Sequence, residues 1–360
     1  MIHLKRKIFF LLLCMGLVTA RSIAQPSPIT LSFEELTAMV IKYHPIAKQA
    51  EIQIDQAKQD LRISRGAFDP VFNYNVGEKT FDGTSYYAYQ QPQLSIPTWF
   101  GVTVKSGVEQ VEGNRVDPTE TMGRSSYLGL QIPLGRDLLT DKRRTDLQKA
   151  KIAKAASYTE RRKMLNDLLL EAHSSYWEWW QTARVFLIAS EALSVVRKRV
   201  DFVRGSVKLG DRPAIDTTEA VAQLQLFEAQ WNTALLNLRK KQWELSQYLW
   251  QENQTPYLLP ENCQPFYNEF ERYTSLQKLK PLDSLLSLAN NNHPELILYN
   301  FKLNSLEIEK RYRTQQLLPK ATLNYNFLES GFQWTAPKTA LFENNYQYGL
   351  SLNIPLRLSA

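Results

Sequence analysis

Cysteine is nearly absent from this chain of 360 residues. Cys14 lies in an N-terminal segment that reads as a cleavable leader, which leaves Cys263 as the one thiol of the mature chain and excludes an intrachain disulfide. Histidine is scarce as well. His3 falls in the leader, His173 stands alone in a helical stretch, and His44 and His293 each precede a proline. No two have metal-ligand spacing, and no Ser, Cys or Lys sits in a nucleophile context, so neither an enzyme nor a metal or other cofactor is expected. Glu34 with Glu35, and Glu219 with Glu228, read as helix-cap and solvated-face residues. Past the leader no apolar run approaches the roughly 20 residues that a membrane helix needs, so a membrane role would fall to strands. A charge excess is missing too. Losing Lys5, Arg6, Lys7 and Arg21 with the leader lowers the formal charge from +7 to +3, which gives no support to nucleic-acid binding.

The leader has three parts. Lys5-Arg6-Lys7 precede an apolar run from Ile8 to Val18, and Ser22-Ile23-Ala24 is a small-x-small cleavage site before Gln25. Residues 1–24 are therefore expected to direct export and to be removed.

What the chain does have is a repeat. His44-Pro45 and Pro70 recur 249 positions later as His293-Pro294 and Pro319. Phe72-Asn73-Tyr74-Asn75-Val76 returns as Leu323-Asn324-Tyr325-Asn326-Phe327. Leu128-Gly129-Leu130-Gln131-Ile132-Pro133-Leu134 returns as Leu350-Ser351-Leu352-Asn353-Ile354-Pro355-Leu356. One unit used twice, rather than two unrelated domains, is the reading.

Ser32 and Glu35 form a capping box, with Leu31 and Leu36 as its hydrophobic staple. Pro45 then divides a helix over about 33–43 from one running to about 65. Tyr43, Ala47, Ala50, Ile54, Ala57, Leu61 and Ser64 step by four and three, a heptad seam whose alanines permit close helix approach. From Val71 to Leu134 the period becomes two, which predicts strands with an additional hairpin at about 92–112. Arg136 to Lys208 lacks proline and predicts a helix of roughly 72 residues, about 108 Å long. Its seam is Leu165, Leu169, Ala172, Tyr176, Trp179, Ala183, Phe186, Ser190 and Leu193. Trp177 and Trp180 beside it read as packing residues rather than a ligand platform. Leu209-Gly210-Asp211-Arg212-Pro213 stops that helix, and Asp216 is expected to cap the next, which runs to about Gln251 with Ala220, Leu224, Phe227, Trp231, Ala234, Leu238 and Leu245 on its seam. Residues 251–280 read as an irregular linker. The second unit, 281–360, then predicts a helix over about 283–315 broken at Pro294, with strands at about 320–328 and 346–356.

The strands alternate. Phe72, Tyr74, Leu323, Tyr325, Leu350, Leu352 and Ile354 fall on one face; Asn73, Asn75, Asn324, Asn326, Ser351 and Asn353 fall on the other, with Gln131 on the polar face of its own strand. A soluble sheet would alternate in the same way. The leader and the lack of an apolar layer to cover those strands favour lipid on the apolar face. An open sheet edge is not tolerated in lipid, so closure would require several copies.

The doubled unit, the His-Pro break, the strand ending in Ile-Pro-Leu and the segment Leu209-Gly210-Asp211-Arg212-Pro213-Ala214-Ile215-Asp216 together resemble the TolC-like outer-membrane efflux factors, over nearly the whole chain after the leader. That resemblance implies a mainly α chain with membrane β-strands. Coiled-coil hairpins would form a periplasmic tunnel continuous with a trimeric, twelve-strand outer-membrane barrel. It also implies a homotrimer that works with a periplasmic adaptor and an inner-membrane pump. Gly210, Asp211, Arg212, Pro213, Ala214, Ile215 and Asp216 would form the tip that contacts the adaptor. Asn73, Asn75, Gln131, Asn324, Asn326 and Asn353 would face the lumen, and Phe72, Tyr74, Leu323, Tyr325, Leu350 and Leu352 the lipid. By the same resemblance the repeat should continue past Leu356 into a second helical hairpin carrying the entrance gate. Only Arg357-Leu358-Ser359-Ala360 follow, so a fragment is expected and no gating residue is assigned. The alternative reading is a periplasmic coiled-coil adaptor or scaffold without a channel.

Overall fold

The computed structural model describes residues 29–114, 121–267, 280–332 and 341–354. The leader, with Cys14, and the end of the final strand motif from Pro355 onward lie outside them. The chain is mainly α-helical, with antiparallel strands.

Ser32 starts the first helix as its neighbours dictate. Its Oγ accepts the Glu35 N–H at 3.1 Å, and Glu35 Oε2 accepts the Ser32 N–H at 2.9 Å. Helix α1 (Phe33–Tyr43) ends on extended His44, and α2 (Pro45–Gly66) begins at once. Pro45 carries no N–H, so the first donor at the start of α2 is that of Ile46, and His44 Nδ1 accepts it at 3.2 Å. The imidazole thus acts as the cap. The heptad seam faces inward: Ala47, Ala50, Ile54 and Leu61 are buried.

Helix α3 (Lys142–Lys208) runs for 67 residues without a break. It starts later than the missing prolines suggested, because the segment before it is held elsewhere. Leu134 N–H donates to Ala321 O and Arg136 N–H to Pro319 O. Asp137 takes a left-handed φ of 75°. Asp141 Oδ1 accepts the Arg144 N–H at 2.8 Å and so caps the helix, while the Arg144 guanidinium ties back to the carbonyls of Asp137 and Leu138. Helix α4 (Ile215–Ser246) packs its seam on α3. Val200 and Val203 meet Ala220, and Trp231 lies against Phe186 with its Nε1 donating to Ser190 Oγ at 3.0 Å. Helix α4 stops short of Gln251. The chain there folds back, so that Gln242 donates to Leu259 O and Ser246 Oγ accepts the Leu259 N–H.

The chain packs as two units: the described residues of Met1–Ala47 with Asp167–Leu279, and those of Lys48–Asn166 with Lys280–Ala360. In the first, Leu36 and Val40 of α1 are fully buried, as are Tyr176, Trp179, Leu245 and Leu249. The Tyr176 hydroxyl donates to Leu31 O at 3.1 Å. A short parallel pair joins β1 (Thr30–Leu31) to β6 (Gln264–Pro265), so the expected irregular linker includes one strand.

The second unit holds α5 (Leu282–Asn292), α6 (Pro294–Gln315) and the large sheet. Ion pairs join α6 to α3: Lys149 to Glu309 at 2.9 Å and Lys163 to Glu295 at 2.6 Å. The sheet consists of β2 (Val71–Phe81), β3 (Thr84–Pro97), β4 (Thr103–Glu112), β5 (Gly123–Pro133), β7 (Lys320–Ser330) and β8 (Tyr346–Asn353). They lie side by side in the order β2-β3-β4-β5-β7-β8, and every neighbouring pair is antiparallel. The additional hairpin starts earlier than its alternation announced and lies within this sheet. Among the described residues this sheet has six strands, two more than the doubled motif alone supplies.

The two copies of the repeat meet unequal surroundings. Leu36 is fully buried, whereas Leu285, its equivalent on α5, is 42% exposed. His293 makes no side-chain cap on α6.

Candidate functional site

The register sorts the sheet into two faces. One row crosses all six strands as Phe72, Leu94, Ser106, Leu128, Phe327 and Tyr346. The neighbouring row on the opposite face is Val71, Ser95, Lys105, Gly129, Asn326 and Gln347. Leu323, Leu350 and Leu352 lie on the first face with Phe72 and Tyr74. On the edge strands that apolar face is open: Phe72, Tyr74, Val76, Leu350 and Leu352 all stand more than half exposed. On the inner strands it is more covered, and Val108 and Tyr325 are buried. Phe342 stacks edge-on over the Tyr325 ring at 5.0 Å and donates its backbone N–H to the Tyr325 hydroxyl.

The polar face is concave. Asn75, Gln91, Gln93, Lys105, Glu109, Tyr127, Gln131, Asn324, Asn326 and Gln347, drawn from all six strands, line one hollow of about 510 Å³. All six of the expected polar-face residues fall on that side by register: Asn73 and Asn75 on β2, Gln131 on β5, Asn324 and Asn326 on β7, and Asn353, paired with Lys320 at the far end of β8. Gln91, Gln93, Lys105 and Glu109 were not singled out from sequence. Alternation at Gln93-Leu94-Ser95-Ile96 carries the signal, but the run of tyrosines before it hides the period.

Glycines explain the curvature. Gly77, Gly107, Gly129 and Gly349 all stand on the polar face. A Cβ on Gly77 would meet the Tyr89 ring at 2.7 Å, and one on Gly107 the Tyr127 ring at 2.7 Å, so the cross-strand tyrosines lie flat over their glycines. Asn326 reaches into the space over Gly129. A face thinned at four places bends toward itself, while the bulky opposite face becomes convex. The outer edges of β2 and β8 have no strand partner among the described residues.

The helical turn between α3 and α4 keeps all seven expected residues together. Gly210 adopts φ 82°, which a side chain would strain, and the Asp211 N–H donates to Ser206 O at 3.0 Å, closing the last turn of α3. Asp216 does not cap α4. The cap position is Ala214, without a side-chain bond, and Asp216 lies in the first turn, paired with Arg212 at 3.6 Å. The Pro213–Asp216 and Ala214–Thr217 backbone bonds have already begun the helix, so Asp216 sits where an acidic residue favours the helix dipole instead. Leu209 and Ile215 flank this turn at 80% and 69% exposure.

His173 and His44 are each held in packed, partly aromatic surroundings. His173 Nε2 lies 2.9 Å from Thr37 Oγ1, with its ring 4.3 Å from Phe33. His44 stacks near Tyr248 and meets Trp250 edge-on. Burial lowers the pKa of both imidazoles. Burial also pushes the Cys263 thiol up to about 11.

Compared with protein-family models the sequence matches none, and compared with curated proteins it matches none. Solved structures are similar in fold. The CmeC outer membrane channel of Campylobacter jejuni aligns with a TM-score of 0.52 over 90% of this chain and 61% of its own, at 15% identity. The open state of the MtrE outer membrane channel of Neisseria gonorrhoeae gives 0.53 over 91% and 64%, at 14% identity. The outer membrane protein VceC of Vibrio cholerae gives 0.51 over 90% and 68%, at 12% identity. The chain thus spans 61% to 68% of the length of these three proteins. Long heptad helices, a His-Pro break and an amphipathic antiparallel sheet, aligned over nine tenths of the chain, give this protein the fold of the TolC-like outer-membrane channels.

Proposed function

We propose that this chain builds an outer-membrane exit duct, passing solutes outward from the periplasm or from an inner-membrane pump in a tripartite efflux or type I secretion system. One observation carries the reading. The sheet exposes apolar side chains on its convex face and gathers polar ones in its concavity, an arrangement that suits lipid outside and water within. Phe72, Tyr74, Leu323, Tyr325, Leu350 and Leu352 would then face lipid, and Asn73, Asn75, Gln131, Asn324, Asn326 and Asn353 the lumen.

A single open sheet leaves unpaired backbone at both edges, which hydrocarbon does not tolerate, so a homotrimer is the assembly proposed. Gly210 to Asp216 would form the periplasmic tip that meets an adaptor. Conduction of this kind needs no bound cofactor and makes no bond. The energy would come from the partner pump.

Membrane fractionation tests the location and the assembly together. The chain should sediment with outer membrane and migrate as a trimer that heating dissociates. A soluble periplasmic monomer would replace this proposal with the scaffold reading. At the tip, Asp211→Lys with Arg212→Glu should weaken adaptor crosslinking while trimers persist. Unchanged crosslinking would remove these residues from the contact.

A further inference from the structure

We infer that the β3–β4 hairpin is part of the barrel wall, so that each copy supplies six strands and three copies close a cylinder of eighteen through β8-to-β2 seams. The inference rests on the trimeric duct proposed above and concerns how its wall is built.

Three observations carry it. First, β2 and β5 do not touch: β2 pairs along its length with β3, and β4 pairs with β5 at every position from Thr103 to Val111. Among the described residues the hairpin is the hydrogen-bonded bridge between them. Second, both faces continue through it. Leu94, Ile96 and Val104 carry on the apolar side set by Phe72 and Leu130, and Gln93, Ser95 and Lys105 carry on the polar side set by Asn73 and Gly129. Strands of 14 and 10 residues are long enough to span the outer membrane. Third, the hairpin turns at the helical end of the sheet. Thr98 N–H donates to Val102 O, and Gly101 packs beside the Arg144 guanidinium at the start of α3. A flap projecting beyond the barrel would turn elsewhere.

The seams follow from parity. Six alternating strands leave β2 and β8 running in opposite directions, so the β8 edge of one copy meets the β2 edge of the next in antiparallel register. An odd number would have placed like directions together. Strands about 4.8 Å apart, tilted by about 45°, give a backbone radius of about 13 Å for twelve strands and about 20 Å for eighteen. The outer mouth would be about half as wide again, and would admit correspondingly bulkier solutes.

Electron cryomicroscopy of the protein in lipid nanodiscs counts the strands directly. Eighteen in cross-section is the expected result. A trimeric barrel of twelve, with residues 84–112 outside the wall, would overturn the inference and leave the duct intact. No barrel at all would overturn both. Cysteine probes give an independent reading, since the native Cys263 is buried. Gln93→Cys and Lys105→Cys should react with a water-soluble maleimide at least tenfold faster than Leu94→Cys and Val104→Cys. Equal rates for the two pairs would place both faces of the hairpin in water and sink its place in the wall.

Discussion

His44 Nδ1 accepts the backbone N–H of Ile46 at 3.2 Å, across a proline that has no N–H of its own to offer. An imidazole that accepts at Nδ1 cannot also carry a proton there, so this helix start is tied to the neutral ring.

That linkage sets a pH dependence. Burial lowers the His44 pKa in the folded chain, while the unfolded chain takes its proton near the ordinary value of about 6.5. Folding is therefore favoured above that value, and stability is lost as pH falls through the window below it. Thermal unfolding followed by circular dichroism should show a lower midpoint at pH 5 than at pH 7.5. His44→Asn, which retains a capping acceptor, should flatten the slope, leaving the share due to buried His173. His44→Ala should cost about 1 kcal/mol at pH 7.5. Identical pH slopes for the parent and His44→Asn would refute the linkage.

Trp179 is fully buried, yet its Nε1 makes no hydrogen bond. Its contribution is volume. Trp179→Ala should destabilise the chain by about 3–5 kcal/mol in a denaturant titration. Trp179→Phe should cost much less, about 1.5 kcal/mol, because the substitution also removes an unsatisfied buried donor. Equal losses would mean that the indole N–H has a partner.

Gly107 and Gly349 share a face but differ in room. A Cβ at 107 would lie 2.7 Å from the Tyr127 ring and 2.8 Å from the Pro92 carbonyl, whereas one at 349 meets nothing within 4 Å. Gly107→Ala should destabilise the sheet by about 1–3 kcal/mol and reduce the heat-sensitive oligomer on gels. Gly349→Ala should match the parent. Trimming the tyrosine should not fully rescue Gly107→Ala, since the carbonyl is backbone and cannot swing aside.

At the helical turn, Gly210 has open space around it but a left-handed backbone. Gly210→Ala should cost about 1 kcal/mol from conformation alone, and Gly210→Asn less, because asparagine tolerates that region. Urea titration of both variants distinguishes them. A large loss in both would point to a packing role that the structure does not contain.

Much of this architecture could be read from residues. Ser32 with Glu35, the division at Pro45, the seam from Ala47 to Leu61 and the stop at Gly210 are local signals, set within a few residues of one another. Failures arose where distant partners decide. The start of α3 depends on Asp141 and on the carbonyls of Pro319 and Ala321, just before and within β7, that hold the preceding segment, and only Asp141 leaves a trace nearby. The beginning of β3 was hidden because Tyr86, Tyr87 and Tyr89 fall on both faces, so polarity does not alternate although the backbone does. The burial of Tyr325 depends on Phe342, which a strand pattern cannot foresee.

Where the concave face bends, the bare backbone of Gly77, Gly107 and Gly129 lies under Tyr89, Tyr127 and Asn326, and Gly349 alone of the four stands open. In the proposed duct a solute would therefore meet aromatic and amide surface at three of these places rather than peptide groups. Charge would be met at Lys105 and Glu109, the two charged positions lining the hollow.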